Sequence, residues 1–147
     1  MSIVHPLHRT FDLLAIVGVL AVIGVVVVLL VNPARRLQEA RDDRRQRDVV
    51  DIFEAMVEYR LLHDGAYPAG LDDTMDTFQV LGSDAVCDVT CPAETSAPTC
   101  LDLSAEVAET ALGAIPIGRY AVNLSDNGKL EVIACDPEVA ERISVKH

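Results

Sequence analysis

Four cysteines, Cys87, Cys91, Cys100 and Cys135, are the side chains here best suited to covalent or metal chemistry. All four fall in the polar C-terminal part of the chain. An even count in a small domain fits two disulfides formed in an oxidising compartment. The competing chemistry is a four-thiolate zinc site. Such sites usually join two closely spaced cysteine pairs, whereas Cys100 and Cys135 stand alone, so disulfides are the favoured reading. Spacing does not choose among the connectivities.

The other candidates are thinner. Asp72, Asp73 and Asp76 offer oxygens for calcium, but they lack the ordered alternation and glycine of an EF-hand loop and read as a solvated acidic loop. His63 has no second histidine nearby and reads as an exposed or dipole-complementing residue at a helix end rather than a ligand. The sequence holds no nucleophile elbow, no metal-binding histidine pair and no glycine-rich phosphate loop, so neither an enzyme nor a cofactor is expected. Net charge is −11 and unevenly spread. Residues 1–47 hold seven of the twelve basic and four of the 23 acidic side chains, and residues 48–147 hold five basic and nineteen acidic. So acidic a segment repels phosphate backbones, and no nucleic-acid binding is expected of residues 48–147.

The elements that must carry these residues begin with an apolar run. Residues 13–31 are nineteen consecutive apolar or glycine residues. As a helix they span about 28 Å, close to the hydrocarbon thickness of a bilayer. A buried core helix or a cleaved signal peptide are the alternatives. The run exceeds the usual signal-peptide length and ends in Asn32-Pro33-Ala34-Arg35-Arg36, which favours a retained membrane helix with lipid as its partner. The expected organisation is a cytoplasmic leader (1–10), a transmembrane helix (11–31), a helical continuation (32–64) and an acidic head (65–147). Orientation is contested. Arginines after the run outnumber the single Arg9 before it and argue for a cytoplasmic C-terminus. The cysteines argue for the opposite side, and a long domain can be translocated regardless of charge.

Residues 34–63 lack glycine and proline and continue as helix. The charged stretch 34–48 reads as a solvated arginine–acid lattice. Val49, Val50, Phe53, Met56, Val57 and Leu61 then form one buried stripe, with Gly65 and Pro68 ending the helix. Residues 69–100 read as loop, and residues 104–112 as a short helix with Leu103, Val107, Ala111 and Leu112 inward. Tyr120, Val122 and Leu124 alternate before Asn127-Gly128, and Leu130, Val132 and Ile133 follow, predicting a hairpin. A two-residue turn there pairs Val122 with Ile133 and Tyr120 with Cys135 on the face that covers the stripe, with Cys135 on the core side. The fold class is α+β: a long N-terminal helix, membrane-spanning in its first half, packed on a small antiparallel hairpin domain with disulfides. A head of 83 residues is marginal without such staples.

Phe11-Asp12-Leu13-Leu14-Ala15-Ile16-Val17-Gly18 and its continuation to Gly24 resemble the N-terminal signature of type IV pilins and the related pseudopilins. The arginine-rich segment 34–45, Asp64-Gly65-Ala66-Tyr67-Pro68, Ile115-Pro116 and the terminal hairpin follow in the order of that superfamily. The resemblance implies a structural filament subunit of a type IV pilus-like or type II secretion-like system. It would be held in the inner membrane with its head outside, and then incorporated into an extracellular filament. It also implies a prepilin peptidase as partner, cutting between Thr10 and Phe11 and leaving a methylated Phe11, and self-association or association with other pilins through the N-terminal helix. Ala15, Gly18, Ala21 and Gly24 are small residues permitting close helix approach, or simple lipid-facing filler. Two positions depart from the pattern. Thr10 stands where the family has the cleavage glycine, and Ala15 where it has a glutamate. These departures leave an alternative, an uncut single-pass minor pilin or assembly component that does not polymerise.

Overall fold

The computed structural model describes residues 5–71, 77–83, 87–92 and 94–147, with side chains described from residue 12 to 28 and from 32 onward within those ranges. Asp72, Asp73 and Asp76 lie outside the described residues, as do the side chains of Thr10 and Phe11. The chain divides into two compact units, Met1–Leu37 and Gln38–His147.

In the first unit the apolar run is helical, as expected, in α1 (His5–Val31). Valine-rich sequence has only modest helix propensity in water, but a helix satisfies every backbone group internally, as an apolar medium demands. The side chains described from 13 to 28 are all exposed, Leu14 by 68% and Val26 by 46%. The helix is interrupted at Asn32, next to the Pro33 that the sequence marks as a kink position. Asn32 adopts the left-handed conformation (φ 37°) between α1 and α2 (Pro33–Leu62). Asparagine tolerates this conformation better than other side-chain-bearing residues. Its Oδ1 accepts the Arg35 N–H at 3.4 Å. Pro33 follows at the first helical position, where its missing N–H costs little.

The second unit is built on α2. Val49, Ile52, Ala55 and Met56 are buried at three- and four-residue spacing. Leu61, expected in the stripe, is 79% exposed because five residues past Met56 it has turned about 140° around the helix. Asp64 (φ 54°) and Gly65 (φ 89°) then turn left-handed, and Gly65 N–H donates to Arg60 O at 2.8 Å, so the helix stops at Leu62 rather than 64.

Against α2 lies an antiparallel sheet in the order β1 (Gln79–Val80), β2 (Tyr120–Leu124), β3 (Leu130–Ala134), β4 (Ser144–Lys146). The predicted hairpin is present, but its register is corrected by one residue. Tyr120 pairs with Ala134 and Val122 with Val132, not with Cys135 and Ile133. The loop holds three residues rather than two. Ser125 N–H donates to Lys129 O, Gly128 N–H donates to Ser125 O, and Gly128 takes φ 75°. This is the pattern of a type I turn followed by a left-handed glycine.

One residue of slip exchanges the faces of a strand. Tyr120, Val122, Leu130, Val132 and Ala134 pack with Val49, Ile52 and Met56 of α2, together with Leu103, Val107 and Ile143. Ala121, Ile133 and Cys135 instead face a second core with Phe78, Val80 and Cys91. Cys135 is therefore on the side of the sheet away from α2, not on the α2-facing side. The helix expected over 104–112 is the single turn α3 (Ser104–Ala108). Leu103 and Val107 are buried, Leu112 is half-buried and Ala111 is exposed. The stretch read as loop contains β1, and β4 was not foreseen.

Candidate functional site

The cysteines form two disulfides, Cys87–Cys100 and Cys91–Cys135, with Cα separations of 6.3 and 4.8 Å. None of the four remains as a thiol, which removes the zinc alternative. Cys91–Cys135 staples the loop before α3 onto the end of β3, on the face away from α2. Among the described residues no group of three or more His, Cys, Asp or Glu is arranged to hold a metal ion. His63 stacks on Tyr59 and its Nε2 lies 3.0 Å from Glu109, so it is a local surface contact.

In the first unit the described side chains of α1 present an exposed apolar surface. Its residues 12–28 contain no buried side chain, and the helix is long and apolar enough to cross a membrane, its most apolar stretch having a mean hydropathy of 3.4. Ala15, Gly18, Ala21 and Gly24 lie on it at intervals of three. Each step of three turns about 60° backwards, so the four wind around half the helix as a shallow groove rather than a straight stripe. A Cβ added to Gly18 or Gly24 would meet nothing within 4 Å.

In the second unit the sequence reading missed a charged lock. Asp42, in the stretch read as solvated, is 6% exposed. Its carboxylate accepts backbone N–H groups from Glu138 (2.9 Å), Val139 (2.7 Å) and Ala140 (2.9 Å), and a guanidinium hydrogen bond from Arg45 (2.8 Å). Arg41 and Arg45 then clamp the Glu138 side chain at 2.5–2.9 Å. Burial alone would raise the Asp42 carboxyl. The N–H groups of Ala140, Val139 and Glu138, followed by Arg45, outweigh it and hold the group at about 2. Glu138 is likewise held at about 2, first by its hydrogen bond from Arg41 and then by that from Arg45.

Beside this lock, Arg41, Arg44, Arg45, Asp48, Ile117, Gly118, Arg119, Tyr120 and Asp136 line a cleft of about 510 Å3. Its charges are largely satisfied from within. Tyr120 O–H donates to Asp48 at 2.5 Å, and burial followed by that bond pushes the phenol well above its ordinary value. Arg119 grips Asp136 at 2.5–2.6 Å and reaches Asp88 at 2.8 Å. Within the cleft Tyr120, Asp48, Arg119 and Asp136 thus engage one another as cross-braces. No family model, characterised protein or solved structure matches this chain.

Proposed function

We propose that this chain is a pilin-like structural subunit, stored in the inner membrane through α1 and built into a type IV pilus-like or type II secretion-like filament. The observation that carries the reading is the exposed apolar surface of the described residues 13–28 of α1, in a chain whose other unit is a disulfide-tied α+β head built on a second helix. Such a surface needs lipid or other copies of itself around it. In lipid the apolar side chains gain nothing from the hydrophobic effect when helices meet, so association rests on close packing. The winding groove of Ala15, Gly18, Ala21 and Gly24 supplies room for it. The head, with two disulfides, belongs on the oxidising side of the membrane. Catalysis has no part in this reading.

Thr10 and Ala15 favour a second reading, an anchored minor component that stays uncut. Purified surface filaments subjected to peptide mapping separate the two. The first reading expects this chain among the filament proteins, beginning at a methylated Phe11. Filaments lacking the chain, with an intact Met1–Thr10 leader on the membrane-bound protein, would refute it in favour of the second.

A further inference from the structure

The solvent face of α2 is charged in two blocks of opposite sign. Arg44 and Arg47 come first, and Asp51, Glu54 and Glu58 follow. At about 100° per residue all five fall within an arc of about 80°. That arc lies opposite the buried Val49, Ile52 and Met56. Arg47, Asp51 and Glu54 are exposed and make no ion pair among the described residues. Arg44 comes only within 3.9 Å of Asp48 and keeps 69% of its side chain in solvent.

The acidic block is also shaped. Asp51, Glu54 and Glu58 surround a pocket of about 230 Å3 floored by Ala55, Ala111 and Leu112. Glu58 accepts the Ala111 N–H at 2.8 Å, which fixes one wall. Three carboxylates around an apolar floor suit a guanidinium carried on its aliphatic stem. No arginine of the same chain lines the pocket.

We infer that this face binds a second copy of the chain, parallel and shifted along the helix axis, so that Arg44 and Arg47 of one copy meet the acidic pocket of the next. The inference rests on the filament reading, because copies inserted through the same apolar helix in one membrane run parallel. Parallel helices in register would set Arg47 against Arg47 and Glu54 against Glu54, which is repulsive. A shift of ten to eleven residues, about 15–16 Å, sets Arg44 beside Glu54 and Arg47 beside Glu58, and carries Asp51 onward to the uncharged Leu61 and Leu62. The face that opposes an unshifted pair therefore favours a shifted one. Axial register is assigned to α2, while residues 13–28 of α1 carry no charge that could set it.

The test uses the full-length chain in lipid vesicles. A photo-crosslinking residue replaces the exposed Leu61, and energy transfer between N-terminally labelled copies reports association. The expected crosslink falls in residues 47–54 of the next copy. R44E and E54K should each weaken association at least about tenfold, and the two changes combined in one chain should restore it to within about twofold. Association insensitive to both reversals, with crosslinks to residues 58–64, overturns the shifted register and leaves the filament reading intact. Absence of association between wild-type copies overturns both.

Discussion

Replacing Asp42 by asparagine asks whether a buried charge closes the head. The wild-type carboxylate accepts three backbone N–H groups and one Arg45 hydrogen bond at 2.7–2.9 Å. Asparagine keeps one acceptor oxygen and turns an NH2 group toward the remaining donors. A buried donor left unpaired costs about 1–3 kcal/mol. With partial recovery by water, the expected loss is about 2–4 kcal/mol. For a unit of this size that lowers the melting temperature by roughly 10–15 °C. The measurement is near-UV circular dichroism of the tyrosines in full-length, disulfide-intact protein in detergent, followed against temperature and urea. The pH dependence supplies a second readout. The Asp42 pKa is depressed from its ordinary 3.8 to about 2. Its stabilisation is therefore complete above about pH 4 and is lost as pH falls toward 2, a contribution of about 1–2 kcal/mol after solvent screening. D42N should flatten that slope, leaving the part due to Glu138, which titrates in the same window. A loss below about 0.5 kcal/mol, or an unchanged slope, would refute the lock.

Other perturbations separate the remaining contributions. Changing Cys91 and Cys135 to serine opens a link spanning 44 residues and should cost about 4 kcal/mol; the Cys87 and Cys100 pair, separated by 13, should cost about 3 kcal/mol, both by urea titration. Gly118→Ala would place a Cβ 2.6–2.8 Å from the Tyr120 ring, so a loss of about 1–3 kcal/mol and an altered tyrosine spectrum are expected. Ile52→Ala, at a fully buried α2 position against the sheet, should cost about 2–5 kcal/mol by thermal melting. Val22→Arg puts a charge mid-way along the apolar surface of α1 at a cost of about 2.5–3.5 kcal/mol. The variant should shift from the carbonate-resistant membrane fraction to the soluble one.

The features legible in the sequence were those written locally. An uninterrupted apolar run can be read because every residue in it says the same thing, and the hairpin because alternation and Asn127-Gly128 agree. The register failed by one residue because Ser125, whose hydroxyl binds Asn127 and the Lys129 carbonyl, draws Asp126 into the loop. That single residue sent Cys135 to the opposite face. Cysteine chemistry was legible and the pairing was not, since pairing is a property of the folded topology. Asp42 was illegible for a different reason. An acid among arginines looks solvated, and its decisive partners are backbone amides 96–98 residues away, which carry no side-chain signature. β1 and β4, two and three residues long, are too short to show a period.

The same separation governs when the head can form. The amides that receive Asp42 belong to residues 138–140, and β4, at Ser144–Lys146, completes the sheet. Asp42 in α2 therefore waits for residues 138–140, nearly a hundred positions later in the chain, before its buried carboxylate is satisfied. Contacts so distant in sequence form slowly. Until residues 138–146 have been made, the segment after α1 lacks its closing partners.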